Sequence, residues 1–128
     1  MLIFLVVIGC ALGGMLRYVL MTGVTRISGE AFPWGTLFVN ALGSFLLGLV
    51  LGAGVNPADS WLSFEGAHAF AAVGFCGGLT TFSTFSLQTL TLVSSQQWGR
   101  VAANAFGSLA LCALCVISGY AISEGISA

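Results

Sequence analysis

Four apolar runs divide this chain almost completely between them: residues 2–24, 33–54, 66–93 and 98–122. A helix that crosses a bilayer needs about 20 predominantly apolar residues, and each run meets that length. Only 5% of the 128 residues are charged against 58% hydrophobic, with a mean hydropathy of +1.06. A water-soluble domain carries roughly 25% charged residues, so these are too few to cover a water-facing surface. The fold expected is therefore an all-α membrane protein, one four-span domain over residues 1–128 in contact with membrane lipid. The three connectors, TRISGEAF, VNPADSWLSFE and SSQQ, leave no room for an ATPase or other soluble motor.

The sparse polar residues exclude several function classes. Net charge is −1, with three arginines and no lysine, so there is no basic patch and nucleic acid is not an expected partner. Cys10, Cys76, Cys112 and Cys115 all lie in apolar runs, where cysteine behaves as a small hydrophobe. Cys112 and Cys115 have CxxC spacing but no second pair or histidine pair to complete a zinc site, and packing is their expected role. The N-terminal MLIFLVVIGCALGGML has no basic residue ahead of its apolar run and exceeds the length of a signal-peptide core, so it reads as a retained first helix.

Boundary signals sit where the runs end. Pro33 suits the first turn of a helix, Asn56-Pro57 reads as a turn, and Trp34, Trp61 and Trp98 fall near expected interfaces. With four spans, Arg26 and Arg100 face one side of the membrane and no lysine or arginine faces the other. A bias of two positive charges is weak under the positive-inside rule, and is compatible with insertion in both orientations. Gly9, Gly13 and Gly14 in the first run, and Gly43, Gly48 and Gly52 in the second, let helices approach closely where lipid supplies no hydrophobic drive. Four short helices enclose little interior, so at least a homodimer is expected.

The third run holds the stretch GFCGGLTTFSTF, residues 74–85, which pairs two glycines with four hydroxyl side chains and no charge. At about 28 residues the run is longer than a crossing needs, while neither half alone would span. Gly77-Gly78 therefore reads as a helix break near the membrane midplane, within Gly77–Thr80. Irregular backbone at that depth is tolerated only when buried in protein or lining a watery cavity, and its cut ends can bind ions. Thr80, Thr81, Ser83 and Thr84 add donors beside it. One or two such hydroxyls would simply bond back to the preceding turn. Four in five positions beside a glycine pair point to a site instead.

Thr36 and Asn40 share one face of the second helix; Asn104 and Ser108 share a face of the fourth, with Cys112 a turn beyond. Asn104 is as well explained by interhelical bonding, whereas the Asn40 amide is placed to donate into the break. Arg17, deep in the first run, is costly there by at least about 2.5 kcal/mol. It must snorkel, pair with carbonyls or attract an anion. Glu30, Asp59, Glu65 and Glu124 all lie in connectors or at ends, so no carboxylate is embedded in a span. Donors and a buried cation without a carboxylate suit an anion, and the positive edges of Phe82 and Phe85 suit one too.

GGMLRY at 13–18, PWGTLFVNALGSFLLG at 33–48 and GFCGGLTTFSTFS at 74–86 resemble the signatures of the Fluc/CrcB fluoride channels, across essentially the whole chain. The resemblance implies a passive fluoride exporter of the bacterial inner membrane, an antiparallel dual-topology homodimer with two pores. It makes Asn40 the pore asparagine, Phe82 and Phe85 ring-edge fluoride ligands, and Thr81, Ser83, Thr84 and Ser108 polar pore residues. Arg17 falls at the vestibule. A structural sodium ion would be held at the dimer centre by the backbone carbonyls of Gly77 and Thr80. Gln88 stands where many members have glutamate, Asn104 where some have tyrosine, and Cys112 in place of a polar residue.

Other classes fit less well. A proton-coupled multidrug exporter needs an embedded carboxylate, and no span has one. An intramembrane hydrolase would depend on His68, the single histidine, and would have to recruit Asp59 from a connector. An assembly subunit would explain the small residues but not the break with its clustered donors.

Overall fold

The computed structural model describes residues 1–53 and 64–127, and these are helical apart from short connections. The elements are α1 (Leu2–Ser28), α2 (Trp34–Gly52), α3 (Phe64–His68), a π-helical segment (Ala69–Cys76), α4 (Gly77–Leu79), α5 (Phe82–Ser94) and α6 (Trp98–Ser127). Four stretches are long and apolar enough to cross a membrane: Leu2–Ser28, Trp34–Gly52, Gly66–Ser94 and Trp98–Ile126. The protein is thus a multi-pass membrane protein. The expected turn at Asn56-Pro57 and the boundary residue Trp61 lie outside the described residues.

The connections obey local chemistry. α1 ends at Gly29, whose φ of 75° is open to glycine at no steric cost. Pro33 caps α2 rather than opening its first turn, and its carbonyl accepts from the Leu37 N–H at 3.1 Å. After α5 the chain turns through Gln96 at φ 57°. There the Gln97 N–H bonds the Leu92 carbonyl at 3.0 Å and the Gln96 N–H bonds the Val93 carbonyl at 2.9 Å, the paired closure of a Schellman motif.

Glycines set the packing. A Cβ on Gly9 would collide with the Phe70 carbonyl and the Phe75 N–H, and one on Gly13 with the Phe75 carbonyl and the Leu79 N–H. α1 therefore lies backbone to backbone along the first half of the third span, both running in the same direction. Gly48, Gly52 and Gly119 do the same for α2 and α6, with Gly48 against Val116 and Tyr120 and Gly119 against Phe45 and Leu49. Small residues at helix contacts serve here as membrane packing requires. Little apolar side chain is enclosed: Val39 and Leu79 are fully buried, while Phe4, Leu87, Phe106 and Leu114 are exposed.

The break in the third span falls at the far end of the expected Gly77–Thr80 interval, past the glycine pair. Gly77, at φ −63° and ψ −38°, is helical, and α4 continues to Leu79. The chain leaves the helix at Thr80 (φ −81°, ψ 159°) and Thr81 (φ −150°, ψ 117°). Both are extended conformations open to any residue, so glycine is not needed for the break itself. The pair serves surface shape instead. Gly78 lies against the backbone of Cys10, while a Cβ on Gly77 would meet nothing within 4 Å. The π-helical turns before the break had no signal in the sequence.

Candidate functional site

Two extended residues in the middle of a membrane helix need partners for their backbone, and two side chains from other spans supply them. Asn40 donates from Nδ2 to the Thr81 carbonyl at 3.1 Å, and its Oδ1 accepts from the Thr81 N–H at 2.7 Å. One amide thereby pairs with both backbone groups of one residue, as a neighbouring β-strand would. Arg17 donates from Nη1 to the Thr80 carbonyl at 3.2 Å. Of the roles open to it, the arginine takes the carbonyl-bonded one. Thr80 also turns its hydroxyl back on the Cys76 carbonyl at 3.0 Å, and its methyl fills the notch left by Gly43.

The hydroxyls past the break form a second cluster. Thr81 caps α5: its Oγ1 accepts from the Thr84 N–H at 3.3 Å and lies 2.9 Å from Thr84 Oγ1 and 3.4 Å from Ser83 Oγ. Further along α5, Ser86, Thr89 and Thr91 bond to the carbonyl four residues back, the ordinary behaviour of hydroxyls in a membrane helix. The cluster at 81–84 is thus chemically distinct from the rest of the helix. No acidic residue occupies the first turn of α5, so the positive end of its dipole stands unopposed.

These groups converge on an open cleft of about 430 Å³ midway along the third span. Asn40, Thr80, Thr81, Phe82, Phe85 and Ser108 lie on its wall, with Gly77 and Cys112. The Phe82 and Phe85 rings are 5.7 Å apart and inclined at 37°. Phe82 is 79% exposed, so its ring projects away from its own chain. Among the described residues no acidic side chain lines the cleft.

Other expected residues stand apart. Arg17, Ser83 and Thr84 approach the cleft only through Thr80 and Thr81. Asn104 is buried off its wall, donating to Thr89 Oγ1 at 2.8 Å, with Ser108 Oγ at 3.5 Å from its Oδ1. It joins α5 to α6 in the manner of interhelical bonding. Thr36 is buried away from the cleft with no hydrogen-bond partner for its hydroxyl among the described residues. Gln88 lines a second cavity of about 260 Å³ beside Thr25, Glu30 and Thr91, near the connector between α1 and α2. Ser44 on the main wall escaped the sequence reading, although its spacing of four from Asn40 placed it on the same helix face.

The break has donor atoms of the type a hard cation takes. In an unbroken helix the Thr81 N–H would bond the Gly77 carbonyl, but here it goes to Asn40, so the Gly77 carbonyl loses its helical donor. The Gly77 flank is open, and Gly77 and Thr80 both border the cleft. Neutral carbonyl oxygens suit sodium in kind. The break offers two such oxygens, those of Gly77 and Thr80, and the second also accepts from Arg17.

Fold and site together define a four-span membrane protein with a polar cleft at a broken helix, lined by amide, hydroxyl and phenyl groups. Residues 4–120 match the family model described as CrcB-like protein, Camphor Resistance (CrcB), and the chain belongs to that family. It is 49% identical over 122 residues to a protein of Thermus thermophilus named fluoride-specific ion channel FluC, covering 95% of this chain and 93% of that one. Proteins of the same name in Opitutus terrae and Gluconobacter oxydans are 41% identical over 122 residues and 40% over 128. Those matches cover 95% and 96% of this chain, and 92% and 85% of theirs.

Proposed function

We propose that this protein is a passive fluoride-selective ion channel that exports fluoride from the cytoplasm and so confers fluoride resistance. It is a channel and not an enzyme. The observation that carries the reading is the cleft at the N-terminal end of α5, where amide and hydroxyl groups meet two phenylalanine rings and, among the described residues, no carboxylate. A helix N-terminus favours negative charge, and aromatic ring edges are positive. The names of relatives matched along nearly the whole chain support fluoride as the anion.

In this reading Phe82 and Phe85 present ring edges to fluoride, Asn40 and Ser108 contribute donors, and Thr81, Ser83 and Thr84 form the polar stretch at the helix start. Thr36 and Asn104, both buried off the cleft wall, flank the path instead of lining it. The channel is an antiparallel dual-topology homodimer with two pores in a bacterial inner membrane. The exposed Phe82 ring and the open Gly77 flank support a second copy against this face. Sodium bound by the Gly77 and Thr80 carbonyls of both copies supplies a fixed positive charge that joins the two breaks.

Current recording in planar bilayers tests the function. Purified protein should carry current that reverses at the fluoride equilibrium potential. A reversal potential that follows the chloride or proton gradient contradicts the proposal.

A further inference from the structure

We infer that Arg17 is the resident cation of the helix break: a positioning residue that holds the Thr80 carbonyl and shares that oxygen with the sodium ion. The inference rests on the fluoride-channel reading but departs from a vestibule role for this arginine, in which its charge would attract the anion.

The half of the third span before the break ends at Leu79, so its last carbonyls and the negative end of its dipole face the gap. A cation belongs there, as an anion belongs at the start of α5. The Arg17 guanidinium lies at the first residue past that end, 3.2 Å from the Thr80 carbonyl oxygen. Gly14, one turn earlier on α1, leaves the flank open beside Nη2 of the same guanidinium. Arg17 is not on the wall of the cleft, whereas Thr80 is. Its direct contact with the path is the backbone it holds.

Two consequences follow. Losing Arg17 should change how fast the channel conducts rather than how strongly it attracts fluoride, because the bond fixes the conformation of the wall. A carbonyl oxygen has two lone pairs, so a guanidinium on one and sodium on the other are neighbours of like charge. Neutralising the arginine should make sodium binding contribute more to stability, because the repulsion is gone and the carbonyl needs a partner.

The test uses the full chain carrying Arg17→Gln or Arg17→Lys. Fluoride efflux from liposomes is followed over a range of fluoride concentrations, and Tm in detergent is compared in sodium and N-methylglucamine chloride at equal ionic strength. For Arg17→Gln the maximal flux should fall about tenfold or more, the loss of a charged hydrogen bond, with half-saturation unchanged. Arg17→Lys keeps the charge but not the planar fork, so it should also lose maximal flux, though less. The sodium-induced rise in Tm should be larger in Arg17→Gln than in the parent. If Arg17→Gln does not fold, Arg17→Lys decides alone, because an anion attractor would tolerate lysine and a carbonyl-positioning arginine would not. Flux restored at high fluoride in Arg17→Gln, parental flux in Arg17→Lys, or an identical sodium effect on Tm in Arg17→Gln and parent would each overturn the inference. A parent that passes no fluoride while the sodium effect still differs between the two proteins would defeat the channel reading and leave the resident cation standing.

Discussion

Replacing Asn40 by alanine removes both bonds that close the break, and the consequence is open to calculation. The Thr81 N–H and carbonyl lose partners at 2.7 and 3.1 Å, in a residue only 6% exposed. Side-chain hydrogen bonds within membranes average about 0.6 kcal/mol and reach about 1.7 kcal/mol, so two bonds are worth about 1–3 kcal/mol. Leaving two buried backbone groups wholly unpaired would cost more, at about 1–3 kcal/mol each, but the adjacent cleft lets water substitute in part. At tenfold per 1.4 kcal/mol, the clamped conformation should become about 5- to 150-fold less favoured relative to a relaxed one. If only the clamped conformation conducts, fluoride efflux from liposomes should fall within that range while unfolding in mixed micelles reports a matching loss of stability. Flux within about twofold of the parent, with unchanged stability, would refute the clamp, since such a difference is under about 0.5 kcal/mol. Asn40→Asp keeps an acceptor for the Thr81 N–H but turns a second acceptor toward the Thr81 carbonyl. Its flux should be lower than that of Asn40→Ala, and equal flux would show that charge at this position is immaterial.

Phe82→Ile and Phe85→Ile should each reduce fluoride flux while size-exclusion chromatography still reports a folded dimer; normal flux in both would sink the ring-edge role. Gly13→Ala would drive a methyl into the Phe75 carbonyl and the Leu79 N–H, so it should destabilise by about 1–3 kcal/mol as overpacking does, measured by denaturant unfolding. Gly23→Ala, with nothing within 4 Å of its Cβ, is the matched control and should be neutral or slightly stabilising. Replacing sodium by N-methylglucamine should abolish conduction without dissociating the dimer; undiminished flux would remove sodium from the mechanism.

Much of this architecture was legible because membrane solvation leaves few choices. The apolar runs required four spans, and α1, α2 and α6 follow the sequence boundaries to within a few residues. The existence of the break was also readable, from a run too long to be one crossing and from hydroxyls in excess of what back-bonding explains. Its interval, Gly77–Thr80, was legible too, but not the residue at which the helix stops. Gly77-Gly78 drew attention as the conformationally permissive pair, yet the backbone departs at two threonines whose extended angles cost little, while Gly78 makes room for Cys10. Arg17 and Asn40 could be singled out as expensive or misplaced residues, but their partners are 63 and 41 positions away. No local pattern specifies such pairings. The same limit applies to Asn104, whose helical face was right and whose partner Thr89 was invisible from spacing.

The measurement that bears most directly on the function is halide efflux from liposomes holding the purified protein, with fluoride and chloride compared under a potassium-ionophore shunt. Rapid loss of fluoride with chloride retained is the expected result for a passive selective channel. Retention of fluoride despite verified reconstitution, or equal loss of both halides, would contradict it.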